Sequence, residues 1–104
     1  MFARVGTFLP QPGKMEEGIQ IFRDSVVPTA RQQQGFKGAF LLTNRSTNKA
    51  ITITLWETEA DMRAGESSGY LREQLAKTAS VLTAGPVLEA FEVTVQVEGL
   101  SALP

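Results

Sequence analysis

The chain contains no cysteine and no histidine. Without cysteine there are no disulfides and no thiolate nucleophile, in accord with a cytoplasmic location. Without histidine the chain loses the commonest general base, the commonest metal ligand and any Ser–His or Cys–His nucleophile. Zinc, copper and haem sites of the usual type are therefore not expected. A metal would have to rest on carboxylates, with Glu16–Glu17 and Glu57/Glu59/Asp61 as candidates, but acids at helix starts explain both groups better. No metal site is expected. The net charge is −1, so nothing draws the chain broadly to nucleic acid or to an anionic membrane, and neither is expected as a partner. No run approaches the ~18 apolar residues that span a bilayer. MFARVGTFLP also lacks the basic start and long apolar stretch of a signal peptide.

What is present suits one domain with one core. The chain has 104 residues, 42% hydrophobic and 20% charged, as in an ordinary soluble globular domain. Residues 2–8, FARVGTF, read as a strand, and LPQPGK as a turn with Pro12 suited to the first helical position. Met15, Ile19, Phe22 and Val26 then recur at helical spacing. Pro28 bends or ends that helix, TARQQQ adds a turn, and Gly35 stops it. Residues 36–43 form a second strand, NRSTNK a polar hairpin loop, and 50–56 a third strand. Thr58 with Asp61 resembles a capping box opening a short helix, interrupted at Gly65. Ser67 or Ser68 caps a further helix whose apolar band is Tyr70, Leu71, Leu75, Ala79 and Leu82, stopped at Gly85–Pro86. Residues 87–96 are the last strand, and 96–104 a short tail.

The order is β-α-β-β-α-β. Right-handed crossovers place both helices on one face of a four-stranded sheet with strands one and three central. The expected fold is therefore α+β and ferredoxin-like. Strand three raises a problem for it. Ile51, Ile53 and Leu55 lie on one side, Thr52, Thr54 and the chain's only Trp, Trp56, on the other. Strand two likewise puts Phe40 and Leu42 opposite Leu41. Helices cover one face only, and an uncovered apolar face usually marks an interface. A homodimer with two sheets packed face to face is expected, the other option being a C-terminal tail folded over the face. Reading strands one and three as parallel brings Thr7 and Trp56 to one end. Thr7, Thr52, Thr54 and Trp56 then floor a pocket beneath the helices, unless the threonines are structural and satisfy one another.

QQGFKGAFLLTN, a polar turn and AITITLWETEADMRAGESSGYL together resemble antibiotic biosynthesis monooxygenase-like domains of the dimeric α/β-barrel superfamily. The resemblance covers nearly the whole chain. It implies one domain over residues 1–104 with a four-stranded antiparallel sheet, helices on one face, and dimerisation through the other. It further implies a pocket in which Trp56 matches the strand-end Trp of family enzymes. Thr7 falls where several members place an Asn, Thr52 near another polar pocket position, and Gln74 where haem-degrading members place an iron-ligating His. The missing His argues against haem degradation, and Thr at position 7 departs from activation by Asn.

The activity the resemblance implies is cofactor-independent oxygenation of a small aromatic or quinol-type ring, with no cofactor. Its candidate catalytic residues are Trp56, Thr7 and Thr52. Thr54, Tyr70, Gln74, Phe22 and Phe36 are candidate substrate contacts, the hydroxyls and amide as oxyanion donors and the rings as stacking partners. No side chain stands out as a base. Each residue also has a structural reading: Trp56 as core or dimer edge, Tyr70 as a helix–sheet contact, Gln74 as an ordinary helix residue, Phe22 as core, Phe36 as the first strand residue after a turn. Arg23 is left outside the site, and Arg4 is assigned a pair across the dimer with Glu89 or Glu92. The competing function is a non-catalytic, small-ligand-binding or stress-associated dimer.

Overall fold

The alternation around Trp56 becomes the middle of one antiparallel sheet. The computed structural model describes residues 1–99. Its strands are β1 Phe2–Phe8, β2 Phe36–Asn44, β3 Lys49–Trp56 and β4 Val87–Glu92, in the order β2-β3-β1-β4. Helices intervene as expected for the ferredoxin-like α+β fold. They are α1 Met15–Ile21, a wide π turn Phe22–Val26, α2 Val27–Ala30, α3 Glu59–Ser68 and α4 Tyr70–Thr78.

One expectation fails here. β1 and β3 pair antiparallel, with Phe2 opposite Trp56 and Thr7 opposite Ile51. Thr7 and Trp56 therefore lie at opposite ends of the sheet. Because side chains alternate along a strand, Thr7 shares the face of Ile51, not that of Thr52. The residues of β1 that share a face with Thr52, Thr54 and Trp56 are Gly6, Arg4 and Phe2.

The last strand is shorter than expected. Residues 87–96 were read as one strand, but pairing with β1 ends at Phe2–Glu92, and Val93 N–H donates to the Met1 carbonyl. β4 thus ends level with the end of β1 at Phe2. Val95 and Val97 are exposed, so residues 93–99 do not fold over the sheet. Residues 100–104 of the expected tail lie outside the described residues.

Local sequence explains the helices. The Thr58 hydroxyl accepts the Asp61 backbone N–H at 3.0 Å and starts α3, an N-cap placed where the sequence puts it. Gly65 does not interrupt α3. The break falls at Gly69, whose φ of +88° is a left-handed conformation that glycine adopts without strain. Gly65 is needed for another reason: a Cβ there would lie 2.9 Å from the Tyr70 ring. Ahead of Pro28, which has no N–H to close the α-helical bond to residue 24, the helix widens into the π turn. Pro12 sits in the preceding turn, and α1 begins at Met15.

Replacing Thr58 with Ala should lower unfolding free energy by about 1 kcal/mol, the usual cost of losing a hydroxyl N-cap. Urea denaturation should show a shifted midpoint with an unchanged slope. A change under a few tenths of a kcal/mol would mean the cap contributes nothing.

Candidate functional site

A cavity of about 100 Å³ lies between the helices and the sheet. The sheet floors it with Arg4, Gly6, Phe8, Thr52, Thr54 and Trp56, while Phe22, Val26, Leu71, Gln74 and Leu75 close it from above. Its wall is overwhelmingly apolar. Gly6 makes the floor: a Cβ there would fall 2.8 Å from the Phe8 ring and 2.9 Å from the Thr52 hydroxyl. The glycine thus lets a ring and a hydroxyl occupy space that any other residue would fill.

Trp56 is 3% exposed. Its indole N–H donates to the Thr54 hydroxyl at 3.0 Å, and its ring meets Phe36 and Tyr70 edge to face at 5.6 and 6.3 Å. Thr54 is thus spent largely on holding the indole. The Thr52 hydroxyl has no hydrogen-bond partner among the described residues, so it is the free hydroxyl of the floor. Gln74 is buried among the cavity residues. Burial pushes the Tyr70 hydroxyl above its ordinary pKa, with nearby Arg4 opposing. The ring therefore stays protonated at neutral pH and is a donor rather than a base.

The structure thus brings six of the eight candidates to one cavity: Trp56, Thr52, Thr54, Tyr70, Gln74 and Phe22. Phe36 stands behind Trp56 and reaches the cavity only through the indole. Thr7 is at the far end from Trp56 because β1 and β3 run antiparallel, and on the other face because the register sets it opposite Ile51.

Arg4 is the residue that sequence reading misplaced. It does not reach across to Glu89 or Glu92 of a second copy. Its side chain is 12% exposed, lines the cavity, and donates to the Glu66 carboxylate at 2.8 Å and the Met62 carbonyl at 3.2 Å. Alternation in FARVGTF puts Arg4 and Gly6 on one face of β1, and the register sets that face with Thr54 and Thr52. Arg23 is exposed and pairs with Asp24. Among the carboxylates once weighed for a metal, Glu16 pairs with Arg45, Glu57 with Lys37 and Glu59 with Arg63. Surface ion pairs account for these three.

Hydrogen bonds from Arg4 first, and then from Arg63, hold the Glu66 carboxyl below its ordinary pKa. A depressed carboxyl stabilises the fold fully above its unfolded value of about 4.3. That contribution is lost as pH falls through the lower folded value. Replacing Arg4 with Met should lower stability near pH 6 and make the acid-side loss shallower than in the parent. Urea midpoints from pH 6 down to pH 3 check this, and parallel curves for the two proteins would contradict it.

Comparison with known proteins places this arrangement. The antibiotic biosynthesis monooxygenase family model matches residues 1–77. In Mycobacterium tuberculosis, the uncharacterized protein Rv2558 is 36% identical over 77 residues, covering 73% of this chain and 33% of that protein. The uncharacterized protein Rv2557 is 29% identical over 97 residues, covering 89% of this chain and 41% of that one. The chain thus spans well under half the length of these curated relatives. Among solved structures, SnoaB, a cofactor-independent oxygenase from Streptomyces nogalater, superposes with a TM-score of 0.78 at 16% identity, covering 94% of this chain and 97% of that one. The ActVA-Orf6 monooxygenase of Streptomyces coelicolor, solved with nanaomycin D, gives 0.73 at 21% identity, covering 95% and 92%. These two likenesses speak to the fold. With the family model matching most of its length, the chain belongs to the antibiotic biosynthesis monooxygenase family.

Proposed function

We propose that the domain is a cofactor-independent monooxygenase that oxidises a small phenol or quinol ring with O₂ in the helix-side cavity. The observation that carries this reading is the cavity itself: an apolar chamber in which Arg4, Thr52, Tyr70 and Gln74 can donate, while the Thr54 and Thr78 hydroxyls are engaged by Trp56 and the Leu75 carbonyl. Family membership supports it, as does the fold shared with a cofactor-independent oxygenase.

The chemistry asks little of side chains. In the conversion of a phenol to a quinone, one atom of O₂ becomes the new carbonyl oxygen and the other leaves as water. The phenol supplies all four electrons, and its O–H hydrogen and one ring C–H hydrogen end in that water. The ring reacts as its anion. Donors around the ring oxygen favour that anion and lower the bound phenol's pKa, which removes the need for a dedicated side-chain base. Trp56 and Phe22 offer ring faces and edges for stacking, and the apolar wall keeps bulk water from the reacting ring.

A second reading is favoured by the size of the cavity. About 100 Å³ is well below the roughly 300 Å³ at which ligand pockets usually begin, and also below the 150 Å³ cavity known to take benzene. A non-catalytic or stress-associated protein holding a very small ligand fits that volume without rearrangement. The oxygenase reading requires the wall to yield at its irregular parts, the π turn and the Gly69 break.

Oxygen uptake decides between them. Across simple phenols, anthrones and quinols, the oxygenase reading expects at least one substrate to be consumed faster than in buffer. Trp56→Phe and Thr52→Val should lower kcat/KM about tenfold, which is roughly 1.4 kcal/mol of transition-state stabilisation. Thr7→Val, on the opposite face, should stay within twofold of the parent. Rates equal to buffer throughout would leave the ligand-binding reading.

The face away from the helices supports a homodimer. Its rows are Leu42, Ile51, Thr7 and Val87; Phe40, Ile53, Val5 and Glu89; and Leu55, Ala3 and Phe91. Phe40, Leu42, Val87 and Phe91 are all about half exposed or more. A second copy of the same sheet offers the matching surface. Sedimentation at micromolar concentration should report twice the 11.3 kDa chain mass, and Phe40→Glu should return it to a single mass. A lone chain in the parent would remove the dimer. No helix of the described residues is long and apolar enough to cross a membrane, and the lack of cysteine supports a cytoplasmic home.

A further inference from the structure

Gln74 is the one buried polar side chain among the described residues, and its amide is held at both ends. Nε2 donates to the Tyr70 carbonyl at 3.3 Å, one turn back along α4. Oε1 accepts from Lys77 Nζ at 3.0 Å. An ammonium group carries only donors. The amide oxygen must therefore face Lys77, and the NH₂ group must face the other way. That group has two hydrogens, of which the Tyr70 carbonyl takes one. The other is available to the cavity, whose wall Gln74 forms.

Lys77 is not part of that wall. Its ammonium also donates to the Thr29 hydroxyl at 3.2 Å and to the Ser25 carbonyl at 3.4 Å, on the far side of the broken helix. All three partners are neutral. No carboxylate pairs with Lys77 among the described residues, whereas Arg4 is matched by Glu66. The other ionisable groups nearby do not cancel this charge. On α4, Tyr70 is protonated at neutral pH and Arg72 and Glu73 are exposed; across from it, Arg23 and Asp24 are exposed and paired with each other.

We propose that Lys77 is a positioning residue: it locks Gln74 as a hydrogen-bond donor to the cavity and so biases the site toward the anionic form of a bound phenolic ring. This rests on the reading of the cavity as a phenol site. It adds the element that sets ligand charge. Without Lys77 only the 3.3 Å bond to the Tyr70 carbonyl orients the amide, its oxygen loses its partner and can turn inward, and an acceptor facing the cavity repels a phenolate.

The probe is 4-nitrophenol, whose phenolate absorbs visible light, titrated from pH 5 to pH 9 with and without excess protein. The parent should bind it saturably and lower its apparent pKa. Lys77→Met should remove most of that shift and weaken phenolate binding about tenfold, while binding of neutral nitrobenzene stays within twofold. Lys77→Arg should restore most of the shift, and Gln74→Leu should behave like Lys77→Met. If the parent gives no saturable signal or no lowered pKa, the inference is wrong. It is equally wrong if Lys77→Met melts earlier but binds and ionises the probe like the parent, because Lys77 is then only a strap between helices. The readout needs no turnover. Lys77-dependent ionisation without oxygen uptake would refute the oxygenase and keep this inference; oxygen uptake with an unshifted probe would do the reverse.

Discussion

The pairing of Phe2 with Trp56, Gly6 with Thr52 and Thr7 with Ile51 decides which side chains meet the helices and which do not. Strand alternation has a period of two, so a slip of one residue would exchange every face. In the observed register the helix side receives Arg4, Gly6, Thr52, Thr54 and Trp56, and the other side receives Val5, Ile51, Ile53 and Leu55. The first set is polar enough to bind and the second apolar enough to associate. Both proposed properties of the domain, the ligand cavity and the dimer face, follow from that one register.

On the helix side, hydrogen bonds fix the polar groups in an otherwise apolar chamber. The indole is tied to Thr54, Arg4 to Glu66 and Met62, and Gln74 to Tyr70 and Lys77. Each bond contributes modestly to stability, about 1 kcal/mol net, but together they leave the Thr52 hydroxyl and the second Gln74 N–H without a protein partner at the cavity wall. Preorganised donors of this kind are worth most where charge develops away from water. The chamber is narrow, and its least regular walls are the π turn ahead of Pro28 and the helix break at Gly69. Both owe their form to local chemistry, a missing N–H in one case and a left-handed glycine in the other.

Much of this was legible in the sequence, and the exceptions have physical causes. Helical and strand periodicities gave the element order, because both depend only on which residues are apolar. The Thr58 cap was legible because its chemistry is local. Strand direction and register were not: alternation reads the same forwards and backwards and does not say which residues stand opposite, so Thr7 was set beside Trp56 when it lies at the far end and on the far face. Arg4 was lost through the same error. β4 is shorter than its pattern suggests, since the residues after Glu92 still alternate but do not pair with β1. Gly65 was taken as a helix breaker, although nothing in composition separates a glycine that makes room for a ring from one that needs positive φ, as Gly69 does. Lys77 carried no signal, because its partners Ser25 and Thr29 are about fifty residues away in the chain.

The fold is that of the antibiotic biosynthesis monooxygenase family, and the chain matches only part of its longer curated relatives. The central claim is narrower: ligands enter between helices and sheet, not on the aliphatic face. The chain has one tryptophan, so a ¹⁵N spectrum holds one indole signal. On titration with phenol, that signal should move saturably together with the Thr52 amide, while the methyl signals of Ile51 and Ile53 stay in place. Saturable shifts of the isoleucine methyls with a stationary indole would contradict the account.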